Sequence, residues 1–154
     1  MELRPVSPQD RDYLALAERL DAYYFELVGD VQLRYAAAND PKGFACRIVA
    51  YEEGRPAGIG CWKALGPGEA EVKRIYVLPE QRRKGVASAI IRALEADISA
   101  QGIRHVRLET AATTPDSAAL YLSLGYHTID YYGSPAGAEN CLCFGKDLSP
   151  APRP

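Results

Sequence analysis

The feature that most limits what this chain can fold into is an apolar residue at every fourth position after residue 85. Val86, Ile90, Leu94 and Ile98 form one stripe, Arg92, Glu95 and Ser99 lie elsewhere around the turn, and Gly102 follows. Such a stripe is a helix that buries one face, and a glycine just past it closes the helix. The flanking segments, residues 70–78 and 106–110, read as strands. Strand, helix, strand is a right-handed crossover, so the two strands must be parallel neighbours or near neighbours in one sheet.

The rest of the chain has to join that sheet. Residues 45–51 and 57–65 read as strands separated by the turn Glu53-Gly54, and Gly66-Pro67-Gly68 leads into residues 70–78. This predicts an antiparallel meander ahead of the crossover. Before it come a short strand, Glu2 to Val6, and an amphipathic helix carrying Tyr13, Ala17, Leu20 and Tyr24 on one stripe, with Ser7-Pro8 read as its cap and first position. After it, Thr114-Pro115 opens a helix that Gly125 closes, and residues 126–131 and 142–146 supply two late strands. The fold class is α/β with a mixed sheet: meander, β-α-β crossover, then an α-β-β segment. Residues 1–148 form a single domain, and 149–154, half of them proline, form a flexible tail.

Composition narrows function. The 154 residues carry 18 basic and 20 acidic side chains, a net charge of −2, which offers no general attraction to nucleic acid or membrane. The charge is segregated, however: residues 72–110 hold 8 basic groups against 4 acidic ones, the reverse of both flanking regions. An anion belongs there. Cys46, Cys61, Cys141 and Cys143 form no CxxC pair, and His105 and His127 stand at no zinc-ligand spacing, so packing thiols and no metal are expected. With no long apolar run and no basic-then-apolar start, the reading is a cytoplasmic protein.

Within the basic segment lies Arg82-Arg83-Lys84-Gly85-Val86-Ala87, between a strand and the strongest helix. The amides of a helix's first turn lack helical partners and the helix dipole adds positive potential, while small residues at 85 and 87 let a pyrophosphate approach the backbone. A solvated basic turn is the other reading of these six residues. They are preceded by Glu71-Val72-Lys73-Arg74-Ile75-Tyr76-Val77 and followed by Tyr121 and Leu124-Gly125-Tyr126. In this combination the chain resembles the GNAT superfamily of acetyl-coenzyme A dependent N-acetyltransferases, with Arg82, Gly85 and Ala87 at the positions of the Q/R-x-x-G-x-G/A signature and the same order of elements.

The resemblance implies a cofactor site made of main chain. Backbone amides of Arg82, Arg83, Lys84, Gly85, Val86, Ala87 and Ser88 would hold the pyrophosphate of acetyl-coenzyme A, Val77 would pair with the pantetheine arm, and the Ile75 N–H would face the thioester carbonyl as an oxyanion donor. An alkyl ammonium must lose a proton before attack. Glu71 takes the family's base position, with an ion pair to Lys73 as its other reading, and Glu109 at the carboxyl end of a crossover strand is the second candidate. Tyr121 takes the position of the acid that protonates the leaving thiolate, its other reading being a core aromatic. Where many relatives carry Asn or Gln this chain has Thr114, read as a helix cap, and Ser117 stands where Ala is usual.

The expected reaction is direct transfer of acetyl to a primary amine on a small molecule or peptide. Asp21, Glu26, Asp30 and Asp40, set among Tyr23, Tyr24, Phe25 and Tyr35 with Arg34, suit a cationic acceptor. A module that binds coenzyme A without chemistry is the alternative from another class. Acylation of an aminoacyl-tRNA is disfavoured by the −4 of residues 1–71. The oligomeric state is left open, and a homodimer is compatible with this reading.

Overall fold

The computed structural model describes residues 1–28, 43–111, 115–133 and 141–150. Its elements run β1 (Glu2–Val6), α1 (Arg11–Val28), β2 (Phe44–Glu52), β3 (Arg55–Gly66), β4 (Glu69–Val77), α2 (Val86–Ala100), β5 (His105–Ala111), α3 (Pro115–Ser123), β6 (His127–Ile129) and β7 (Cys141–Asp147). They form one seven-stranded sheet in the order β1-β2-β3-β4-β5-β7-β6. The β4–β5 pair is parallel and every other pair antiparallel, as the crossover and meander require. The mixed α/β class follows, and none of the helices described is long and apolar enough to cross a membrane.

Each face of the sheet has its own core. On one, Val86, Ile90, Leu94 and Ile98 of α2 meet Ala70 and Val72 of β4, Val106 and Leu108 of β5 and Phe144 of β7. On the other, Tyr13, Leu16 and Leu20 of α1 meet Val49, Tyr51, Ile59 and Tyr76. The fourfold stripe that identifies α2 in the sequence is thus the seam of the larger core. Two glycines set how close that helix comes. A Cβ on Gly60 would sit 2.6 Å from both Ile75 and Ile90, and one on Gly58 would sit 2.9 Å from the Tyr76 carbonyl oxygen. Trp62 then fixes the helix along its axis, its Nε1–H donating to Asp97 at 2.7 Å.

Helix ends show where local rules operate and where the sequence misleads. α1 begins at Arg11, and its cap is Asp10, whose Oδ1 accepts the Tyr13 N–H at 2.8 Å; Ser7-Pro8 instead forms a turn in which the Asp10 N–H returns to the Ser7 carbonyl. Proline tolerance at a first helical turn suggested the earlier start, but the turn bond commits those residues before the helix begins. Gly102 ends α2 as expected, with φ 81°. Gly125 does the same for α3: the Tyr126 N–H reaches back to the Tyr121 carbonyl and the Gly125 N–H to Leu122, a Schellman closure. Thr114 lies outside the described residues, as do 151–154 of the tail.

Because α2 has no spare room over Gly60, Gly60→Val is expected to destabilise the fold by about 1–3 kcal/mol, the usual cost of overpacking a core. A urea denaturation midpoint measured against wild type checks this; an unchanged midpoint would show that the helix can move away freely.

Candidate functional site

The site begins with a fault in β4. Opposite Ile59 and Cys61 of β3 stand Tyr76 and Lys73, so β4 carries one extra residue there. Arg74 takes it up, with φ 61°, the left-handed region that a side-chain-bearing residue rarely enters. The bulge inverts the facing of β4. Before it, Ala70 and Val72 point into the α2 core and Glu71 and Lys73 to the α1 side; after it, Ile75 and Val77 join the α2 core and Tyr76 the α1 core. Pairing with β5 stops at Val72–Leu108, while β5 stays paired to β7 as far as Ala111. The two parallel strands therefore part at the bulge, and Ile75 and Val77 lie on the stretch of β4 that has no β5 partner. Arg74 itself anchors α1, donating to Asp21 Oδ1 at 2.8 Å and to the Ala17 carbonyl at 3.2 Å.

At the end of β4 the chain makes one 3-10 turn, Pro79–Gln81, and enters the basic hexamer. Arg82 folds back: its Nε–H donates to the Val77 carbonyl at 3.0 Å, and its guanidinium lies 5.5 and 5.8 Å from the ring centres of Tyr23 and Tyr76. Its side chain thus braces the junction against α1, a role distinct from the backbone contact expected for it. Lys84 donates to Gln81, Arg83 stands exposed at φ 64°, and Gly85 at φ 81° is the N-terminal cap position of α2 without any side-chain cap. The N–H of Ala89 is the first to find the Gly85 carbonyl, which leaves the amides of Val86, Ala87 and Ser88 without helical partners. Apart from its chain neighbours, no heavy atom of the described residues lies within 4 Å of where a Gly85 Cβ would stand. Open space, bare amides and three cations fit a pyrophosphate.

The side chains gather where β4 and β5 part. Tyr121 of α3 is buried, its ring 5.9 Å from Tyr126 and 5.8 Å from Phe144. The Tyr126 contact is the apolar pair of the Schellman closure, and Tyr126 in turn donates to Glu95 of α2, which also pairs with Lys146. Burial pushes the Tyr121 phenol up, and the Tyr24 hydroxyl nearby adds to the effect. Tyr24 is raised by its own burial and by Tyr23, Cys141 and Glu109. One hydroxyl of α1 therefore feels both Tyr121 and Glu109.

The two candidate carboxylates differ in their partners. Glu71 is buried with both oxygens engaged: Lys73 Nζ lies 3.3 Å from Oε1, and the Tyr132 hydroxyl donates to Oε2 at 2.6 Å. The ion pair with Lys73, one of the two readings the sequence allowed, is present. Glu109 Oε1 is buried and has no hydrogen-bond partner among the described residues. Tyr132 escapes sequence reading because only the fold carries it across to β4. Of the residues expected to line an acceptor pocket, Asp21 is held by Arg74, Phe25 and Glu26 are exposed, and Asp30, Arg34, Tyr35 and Asp40 lie outside the described residues.

All four cysteines are free thiols, and among the described residues no cluster of His, Cys, Asp and Glu is suited to a metal. Cys61 is wholly buried and donates to the Lys73 carbonyl at 3.3 Å; burial pushes its thiol up to about 12 and that of Cys46 up to about 11.

Residues 12–126 match the sequence profile of the acetyltransferase (GNAT) family. The chain belongs to that family. Over 102 residues it is 32% identical to the uncharacterized N-acetyltransferase YjgM of Escherichia coli (strain K12), a match spanning 64% of this chain and 60% of that relative. A structure from Klebsiella pneumoniae described as an acyl-CoA N-acyltransferase superposes with a TM-score of 0.79 at 23% identity, covering 96% of this chain and 97% of the other. An aminoglycoside 6'-N-acetyltransferase complexed with coenzyme A gives 0.71 at 16% identity, covering 99% and 100%. At these identities the two structures show the shared fold, GNAT throughout.

The buried thiols give a measurable consequence. Cys61 is neutral in the fold up to about 12, whereas an unfolded thiol ionises near 8.5, so folding is opposed as pH climbs between those values. The stability contributed is complete below about 8.5 and is lost upward. The urea midpoint should fall from pH 8.5 to 10.5, and less steeply in Cys61→Ala; parallel curves for the two proteins would refute the link.

Proposed function

We propose that this chain transfers an acetyl group from acetyl-coenzyme A to a primary amine in a ternary complex. The observation that carries the reading is the parting of β4 from β5 at the Arg74 bulge, with the bare amides of α2 at one end and Tyr121 and Glu109 beside it. Membership of the GNAT family and a structural relative that binds coenzyme A support it.

The amides of Arg83 to Ser88 would hold the pyrophosphate, the Arg82 N–H expected to join them being taken by the Pro79 carbonyl at 3.3 Å, and the stretch of β4 without a β5 partner, which includes Ile75 and Val77, would receive the pantetheine and the thioester carbonyl. Bound acetyl-coenzyme A supplies an activated thioester, whose C–S bond breaks as the N–C bond forms. Glu109 serves as base. A base works best with an oxygen that no donor yet holds, and Oε1 of Glu109 has no hydrogen-bond partner among the described residues while each oxygen of Glu71 already faces a donor. Tyr121 serves as acid: its hydroxyl, held protonated by burial, gives a proton to the departing sulfur. Its ring is at the same time core, so on this reading one side chain serves both packing and chemistry.

The acceptor is a cationic primary amine on a small molecule or peptide, drawn by an unneutralised carboxylate in a low-dielectric site. Residues 1–148 act as the single domain, in the cytoplasm, without nucleic acid, membrane or metal, and a homodimer is compatible with the arrangement.

The test is thiol release from acetyl-coenzyme A against amino acids, polyamines, aminoglycosides and peptides. Turnover with at least one amine is expected, and tight coenzyme A binding with no turnover across the whole panel would favour the non-catalytic alternative. On a verified acceptor, Glu109→Gln and Tyr121→Phe should each lower kcat by roughly 10² or more with cofactor affinity held. A Glu109→Gln protein at full rate would return the base to Glu71 or to water.

Gly85→Glu should abolish acetyl-coenzyme A binding in calorimetry. Because Gly85 has a left-handed backbone, the variant also carries a strain of about 1 kcal/mol. Gly102, with the same φ of 81° and the same open surroundings at the far end of α2, isolates that cost. Gly102→Glu should lose the same stability and keep full affinity. Binding retained in Gly85→Glu would refute the cradle.

A further inference from the structure

The segment 131–133 crosses the sheet and lies over both carboxylates. Tyr132 donates its hydroxyl to Glu71 Oε2 at 2.6 Å, and its backbone meets the Cys143 sulfur. Its ring is held from below: the Arg107 guanidinium lies 5.4 Å from the ring centre, and Arg107 is fixed by Glu69 at 2.8 Å. The next residue is pressed onto Glu109. A Cβ on Gly133 would stand 2.9 Å from Glu109 Oε2 and 2.6 Å from the Tyr131 hydroxyl, so only glycine lets the backbone come this near. On the outer side of Tyr132 an open groove of about 370 Å³ runs over Arg107 and Gly145. Tyr132 thus lines that groove and bonds the buried Glu71 at once.

We propose that Tyr132 is a positioning residue for acyl transfer: its hydrogen bond to Glu71 latches residues 131–133 over Glu109, closing the base to the groove so that it is reached from the β4–β5 opening alone. This rests on the reading of Glu109 as the base. It also gives Glu71 and Lys73 a task. Lys73 compensates a buried carboxylate whose work is to hold the latch, which explains why two acidic side chains on neighbouring strands have such different partners. A charged acceptor is the stronger choice for this latch, since a hydrogen bond to a carboxylate outlasts a neutral one. With the latch shut, Oε1 of Glu109 keeps its lone pair for the amine; with it open, water from the groove competes for that oxygen and the carboxylate is free to turn.

Hydrogen–deuterium exchange of residues 131–133 reads the latch without any acceptor. In Tyr132→Phe exchange should quicken by about tenfold or more, the scale of one hydrogen bond to a charged group, while in Glu71→Gln, which keeps an oxygen to accept a weaker neutral bond, it should quicken by less. Gly133→Ala, which lifts the segment by contact alone, should exchange as fast as Tyr132→Phe, and the double variant no faster than either. On a verified acceptor, Tyr132→Phe and Gly133→Ala should lower kcat by roughly tenfold or more, as displaced catalytic groups do, with the KM for acetyl-coenzyme A unchanged. Wild-type exchange in Tyr132→Phe, or fast exchange with wild-type kcat, would overturn the proposal. Fast exchange and reduced kcat in Tyr132→Phe beside full turnover in Glu109→Gln would instead overturn the base assignment and leave the latch standing.

Discussion

The left-handed backbone at Arg74 is the constraint on which the other features depend. One extra residue in β4 does three things together: it ends pairing with β5, reverses which side chains face α2, and turns the Arg74 side chain onto α1. A non-glycine residue at φ 61° costs on the order of 1 kcal/mol or more. Two hydrogen bonds from the same guanidinium to α1 help offset that cost. The helix on one face and the break in the sheet are thereby tied to a single residue. The bulge and the end of β4–β5 pairing at Val72–Leu108 together leave the opening on which the proposed function rests.

The opening works because the elements around it are held closely. Gly58 and Gly60 let α2 settle onto β3, so the first turn of the helix stands at the end of β4, and Arg82 braces that junction against Tyr23 and Tyr76. On the far side Glu95 takes hydrogen bonds from Tyr126 and Lys146, locking the turn that closes α3 to both α2 and β7. The consequence is felt at Tyr121, whose ring packs on Tyr126 and Phe144 and cannot wander. Preorganisation of this kind is what the proton donor proposed at this position would need, since misplacement by about 1 Å is expensive in rate.

Two glutamates on adjacent strands show how environment assigns roles. Both face the α1 side of the sheet, yet Glu71 is paired with a lysine and a phenol, and Oε1 of Glu109 has no hydrogen-bond partner among the described residues. On the proposed reading the carboxylate with a donor on each oxygen is the anchor and the other the base. A carboxylate that is buried and unsaturated holds chemical potential for a proton or a cation. Spacing in the sequence pointed first to Glu71 because it lies on the strand leading to the signature, and nothing in the sequence says that Tyr132 will cross to it.

By itself the sequence determined what depends on short-range rules. The fourfold stripe of α2, the glycines that end both late helices, the turns of the meander and the strand-to-helix hexamer are written within a few residues of one another, and each element lies where those signals put it, save that α1 starts at Arg11 under Asp10 and the strand expected over 126–131 shortens to His127–Ile129. The family signature is likewise local. The tertiary structure decided what depends on residues far apart meeting: that Arg74 takes up a bulge, that Arg82 turns back onto Val77, that Tyr132 reaches Glu71 across 61 positions, and that among the described residues nothing bonds Oε1 of Glu109. Those outcomes turn on which of several equivalent partners is near enough in space. Hydrogen bonds and burial act over a few ångströms, and only the folded chain sets which groups come within that range.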